Sequence, residues 1–175
     1  MQGITQHMDE IMQYLRMLAD HESGSRAFAR FVLEHAREWE SAPCGAEFAG
    51  GLPRACFSNS QNALFYDMRR GGREGLVYVE GYASSGSLSF SLPTPHAWLV
   101  DPLGRVIDPT WPDPECSAYF GVPFRAEYVR AMVDAHGPCS MIDNFHNRWE
   151  LVRMPDAAAH AILDWEGWQA VCAVR

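Results

Sequence analysis

Apolar side chains return at helical spacing over residues 4–20: Ile4, Met8, Ile11, Met12, Leu15 and Leu18, with polar residues between them. A period near 3.6 predicts an amphipathic helix with one face turned to a core. HESGS (21–25) breaks the pattern, and Ser25 is placed to cap a second helix with a stripe of Phe28, Phe31, Val32 and Ala36. Ser41 to Ala55 is a Gly/Pro-rich loop. A third helical pattern opens at Cys56, carries Ala63, Leu64 and Met68, and stops at RRGGRE (69–74). Leu76 to Ala83 is rich in β-formers and reads as a strand. SSGSLSFSLPTP (84–95) reads as a flexible link or a short strand, and PDPECSAYFGVPF (112–124) as a long loop. RAEYVRAMVDAHG (125–137) is a helix closed by Gly137, and PDAAAHAILDWEGWQAV (155–171) is one last helix. Helices, then a small antiparallel sheet, then helices make an α+β fold in a single domain, 1–175. Its parts are a helical segment of about 1–50, a core of about 50–125 and a helical segment of about 125–175.

HAWLVDPLGRVIDPTW (96–111) holds two apolar runs around a turn. Asp101-Pro102-Leu103-Gly104 suits a type I turn that continues into a bulge with Gly104 left-handed. Asp101 then pairs with Arg105, so Trp98 faces Asp108 and His96 faces Thr110. His96 and Asp108 share one face as diagonal neighbours, about 7–8 Å apart at Cα. A two-residue loop would turn them to opposite faces. Asp101 is assigned to the turn, where its side chain bonds the backbone.

A His–carboxylate pair calls for a nucleophile. Cys56 follows a loop and opens a helix, where free N–H groups and the helix dipole favour a thiolate. The same N–H groups suit a developing oxyanion, with Asn59 as a candidate side-chain donor. Cys116, in the loop after Asp108, is the reserve nucleophile. Ser58, Ser60 and Ser84 do not lie in a G-x-S-x-G elbow.

Composition narrows the classes. The net charge of -8 and pI near 5.3 argue against a nucleic-acid surface. The start lacks a signal-peptide pattern, and no run approaches the roughly 18 apolar residues of a membrane span. Five Cys without a CxxC pair, and His146 and His160 without partners at ligand spacing, predict neither disulfides nor a metal site. The expectation is a cytoplasmic protein without cofactor or metal.

The order Cys56, then His96-x-Trp98, Gly104 in the turn and Asp108-Pro109-Thr110 resembles the transglutaminase-like core of the papain-like cysteine enzymes over about residues 50–112. There a Cys begins a helix, and His and Asp lie on successive antiparallel strands. The resemblance implies a Cys56–His96–Asp108 triad that attacks an amide or thioester carbonyl through an acyl-enzyme, with a peptide or protein substrate. It also gives Trp98 and Trp111 a place as walls of the site. The alternative is a non-catalytic binding or inhibitor module on the same scaffold.

Overall fold

Residues 2–22, 27–71, 75–86 and 92–173 are described by the computed structural model. The first periodic stretch forms α1 (Gln2–His21), which turns Ile11 and Leu15 fully inward. Ser25 lies outside the described residues. The next helix, α2 (Phe28–His35), has its first-turn N–H groups met by Glu22, whose carboxylate accepts from Ala29 N at 2.7 Å and Arg30 N at 3.2 Å. Arg30 returns the link by donating to Ala19 O and Glu22 O near the end of α1. One side chain thus supplies the acceptors that the start of α2 lacks, and another supplies donors for the end of α1.

A short strand, β1 (Arg37–Trp39), follows, and after the loop α3 (Cys56–Arg69) begins at Cys56. The sheet is completed by β2 (Val77–Ser84), β3 (Thr94–Val100), β4 (Val106–Ile107) and β5 (Ala118–Phe124). Its order is β1-β5-β2-β3-β4, and every named pair is antiparallel. The sheet is covered on both faces. One face carries Tyr78, Ala97, Leu99, Val122 and Phe124 under α1–α3 and α4 (Ala126–His136). The other carries Val79, Trp98, Val100 and Tyr119, together with Trp39 and Trp165. Its outer layer is tied down by an edge-to-face contact of Trp39 and Trp165, with centroids 4.7 Å apart.

Two expectations need correction. Residues 112–124 are not all loop, because β5 fills 118–124 and lies between β1 and β2. Pro123 argues against an inner strand, since proline gives no ladder donor. The paired part of β1 ends at Gly121, however, and Pro123 O accepts from Leu163 N on the side away from β2. The missing donor therefore faces a loop and not a strand. Gly121 also suits an inner strand here, because a Cβ on it would come within 2.6 Å of Trp98 Cη2.

The second correction is at the end of the chain. The single helix over 155–171 is two, α6 (Pro155–Ala161) and α7 (Trp165–Cys172), preceded by a short α5 (Glu150–Arg153). Ile162 leaves the helix to bridge Phe124, and the Asp164 side chain restarts it by accepting from Gly167 N. An Asp at such a start is a strong N-cap, so the local signal favoured a break over the apolar periodicity that ran through it.

Candidate active site

The hairpin places the site. Gly104 adopts φ +82°, Gly104 N donates to Asp101 O, and Asp101 N donates to Arg105 O. The Asp101 carboxylate accepts from Leu103 N and Arg105 N, both at 2.9 Å, and so serves the turn. Leu99 pairs with Ile107 and Val100 with Val106, which is the bulged register. The ladder stops at Ile107, and the chain bends at once into Asp108-Pro109-Thr110.

Asp108 is fully buried and both its oxygens are used. Oδ1 accepts from Thr110 N at 2.8 Å and Trp111 N at 3.1 Å, which fixes the carboxylate to its own turn. Oδ2 accepts from His96 Nε2 at 2.7 Å and from the Tyr119 hydroxyl at 3.0 Å. His96 is 3% exposed and stacks on Trp111, with centroids 4.3 Å apart and planes 22° apart. With Nε2 committed to Asp108, Nδ1 is the nitrogen left to exchange a proton.

Burial alone would pull the His96 pKa down. The hydrogen bond and charge of Asp108, then a hydrogen bond with Cys56 and its charge, outweigh burial and raise it from 6.5 to about 9. Cys56, half-buried, is a smaller influence than Asp108 on the same ring. The reserve nucleophile Cys116 is exposed in a 3₁₀ turn, Pro114–Cys116, and is not among the groups that raise His96.

The approach to Cys56 is tightly built. Arg54 takes φ +61°, a region costly for a residue with a Cβ, and turns the loop into α3. Gly51 N donates to Pro109 O at 2.8 Å, and a Cβ on Gly51 would meet that oxygen at 2.5 Å. Only glycine lets the loop lie this close to the turn that carries Asp108. Asn59 spans the same joint, donating to Leu52 O at 2.8 Å and Thr110 Oγ1 at 3.0 Å and accepting from Leu52 N at 3.2 Å. Both amide hydrogens are thus engaged in holding the loop to the turn. The first-turn N–H groups of α3, that of Cys56 included, have no acceptor within the helix.

The two tryptophans differ. Trp111 is partly exposed over the His96 ring and can wall the site. Trp98 is fully buried under it, packed on Tyr119 at 5.1 Å between centroids, and its indole N–H has no hydrogen-bond partner among the described residues. Trp98 is the floor.

Three residues escaped the sequence reading. Tyr119 sits on the strand taken for a loop, and its phenol pKa is pushed well up by burial and by Asp108. Cys44, read as a loop residue, has its thiol raised to about 11, mainly by burial and by the charge of Asp108, whose backbone also hydrogen-bonds it. Glu80, on the opposite face of β2, is buried and accepts from the Ser140 hydroxyl, Met141 N, Ile142 N and the Tyr78 hydroxyl. It fastens the loop after α4 to the sheet, and burial raises its pKa. The alternation of Tyr119, Gly121 and Pro123 against Ala118, Phe120, Val122 and Phe124 was the available signal for the first. For Cys44 and Glu80 the partners are distant in sequence, and no local pattern marks them.

Among the described residues, no group of three or more His, Cys, Asp or Glu side chains is arranged to hold a metal, and no helix is long and apolar enough to cross a membrane. Comparisons with protein-family models, with curated proteins and with solved structures find no match to this chain.

Proposed function

We propose that this chain is a thiol-dependent hydrolase or acyltransferase acting on an amide of a peptide or protein, on a papain-like, transglutaminase-like core. Cys56 is the nucleophile, His96 the base and Asp108 the group that orients the ring. The observation that carries the reading is the buried 2.7 Å bond from His96 Nε2 to Asp108, on a histidine whose pKa is raised to about 9 by Asp108 and by Cys56.

The reaction follows from those roles. His96 Nδ1 takes the thiol proton, leaving thiolate beside imidazolium. The sulfur attacks the carbonyl carbon, and the oxyanion is met by first-turn N–H groups of α3. The C–N bond then breaks as His96 returns its proton to the leaving amine, which leaves a thioester on Cys56. Water or a second amine, deprotonated by His96, attacks that thioester and releases the acyl group. Asp108 keeps Nε2–H occupied throughout, so that Nδ1 stays free to accept. Trp111 shields one face of the ring from water.

The test is to incubate the protein with a set of acyl donors, peptide thioesters and activated amides, and to locate adducts by mass spectrometry. The expected result is an acyl mass on Cys56 that is absent in His96→Ala. An intact, folded protein that acylates elsewhere, or nowhere across the set, refutes the reading in favour of a non-catalytic module.

A further inference from the structure

Asn59 and Ser60 stand three and four positions after Cys56 in α3. Side chains on a helix lean toward its N-terminus, so those at i+3 and i+4 lie beside the one at i. Each of the two crosses to a different part of the site. Asn59 Nδ2 donates at 3.0 Å to Thr110 Oγ1, two residues after Asp108. Ser60 is fully buried, and its hydroxyl donates at 3.0 Å to the carbonyl oxygen of Ala97, the residue after His96. The helix that carries Cys56 is thus bonded to the turn of the acid and to the strand of the base by consecutive residues.

Both contacts are built in. Asn59 Oδ1 accepts from Leu52 N at 3.2 Å, and Nδ2 also donates to Leu52 O at 2.8 Å, so the amide plane is held from two sides. Gly51 is enclosed against it: a Cβ there would come within 2.5 Å of Pro109 O and 2.6 Å of Asn59 Nδ2. The loop that leads into Cys56 therefore lies against the 108–110 turn with no room for a side chain between them. A serine hydroxyl inside a helix can turn back to the carbonyl four positions earlier, which here belongs to Cys56. Ser60 spends its proton on β3 instead.

We propose that Asn59 and Ser60 are positioning residues that set the approach of Cys56 to His96. The inference rests on the thiol chemistry proposed at Cys56. His96 is fixed to Asp108 at 2.7 Å, and Asp108 is fixed to its own turn through Thr110 N and Trp111 N. The freedom left in the site is that of α3 against this pair. Ser60 removes it on the side of β3, and Asn59 on the side of the turn. Proton transfer from thiol to ring is steep in their separation, and a misplacement of about 1 Å can cost about 100-fold in rate. Both residues act through Cys56, and neither takes or gives a proton in the reaction.

The test is the pH profile of Cys56 alkylation by iodoacetamide in Asn59→Ala and Ser60→Ala, with the His96 ring proton followed by NMR. Each variant should lose at least about tenfold in rate at pH 6, with the inflection of the profile moved up by about one unit. His96 should still titrate well above 6.5 in both because, against the pull of burial, Asp108 raises its pKa more than Cys56 does. Thr110→Val removes the acceptor of Asn59 without a change in α3 and should match Asn59→Ala. Thr110→Ser keeps the hydroxyl and should match the parent. Circular dichroism verifies folding, and where an α3 variant does not fold, the Thr110 pair decides. Folded variants that keep the parent rate and inflection overturn the clamp and leave the thiol reading standing. A Thr110→Ser as slow as Thr110→Val, or a His96 that loses its raised pKa in the α3 variants, overturns it in the same way. A parent Cys56 no faster than in His96→Ala overturns both.

Discussion

Replacing Asp108 by Asn preserves shape and removes charge. The amide oxygen of Asp108→Asn can still accept from Thr110 N and Trp111 N, so the turn is retained. At the Oδ2 position, however, the variant offers an NH₂ group to His96 Nε2. The ring must then accept there, which moves its proton to Nδ1, the nitrogen needed to receive a proton from Cys56. The electrostatics move the same way. Burial is the largest influence on His96 and pulls its pKa down; Asp108 supplies most of what opposes it. The climb from 6.5 to about 9 corresponds to ~3 kcal/mol, or about 300-fold in favour of the imidazolium. Without the carboxylate, the His96 pKa should fall, and a return to 6.5 would shift the balance between thiol–imidazole and thiolate–imidazolium by about 300-fold toward the neutral pair. Ring-proton titration by NMR measures the first effect, with the His96 signal assigned by its loss in His96→Ala. A His96 that still titrates above about pH 8 in Asp108→Asn would refute this account of the pair.

Three further predictions concern the same frame. The raised His96 pKa makes stability depend on alkaline pH: the contribution is fully present below about pH 6.5 and is lost as pH rises through about 9, by up to ~3 kcal/mol. Urea unfolding from pH 6 to pH 10 should show that decline, and it should be absent in Asp108→Asn. Gly104→Val puts a β-branched residue at φ +82° and should cost about 1–2 kcal/mol in unfolding free energy; a loss under about 0.5 kcal/mol contradicts the bulged turn. Tyr119→Phe removes one of two donors to Asp108 Oδ2 and should lower stability by about 1–2 kcal/mol, while thiol alkylation at Cys56 stays within threefold of the parent. A large loss of alkylation instead would place Tyr119 in the chemistry.

The hairpin was readable from its residues because turn chemistry is local. Pro102 and Gly104 select the bulge, the bulge sets the register up to Ile107, and the turn after it, which fixes the Asp108 carboxylate through Thr110 N and Trp111 N, completes the approach of Asp108 to His96. Cys56 at a helix start was readable for the same reason, since a Gly/Pro-rich loop ends where helical periodicity begins. Features that depend on distant partners were hidden. Pro123 fits an inner strand only because its nitrogen faces the Leu163 side and not a neighbouring strand, which nothing local reveals. The break between α6 and α7 hangs on a bridge from Ile162 to Phe124, almost forty residues away in the chain. Asn59 is a candidate oxyanion donor by its place one turn into a helix, and only the fold reveals that Thr110 and Leu52 come to its amide. Glu80 shows the same limit, since a lone acid in a buried strand makes sense only once the 140–142 backbone arrives to donate to it.

The most direct measurement is alkylation of the native protein by iodoacetamide at pH 6, with the rate at each of the five cysteines read by peptide mass spectrometry. Cys44 and Cys139 are held back, their thiols raised chiefly by burial, and Cys116, exposed to solvent, is the accessible reference. The account predicts that Cys56 reacts fastest although it is less exposed than Cys116, and that its rate drops to that of Cys116 or below in His96→Ala. A Cys56 no faster than Cys116, or one whose rate ignores the loss of His96, would contradict it.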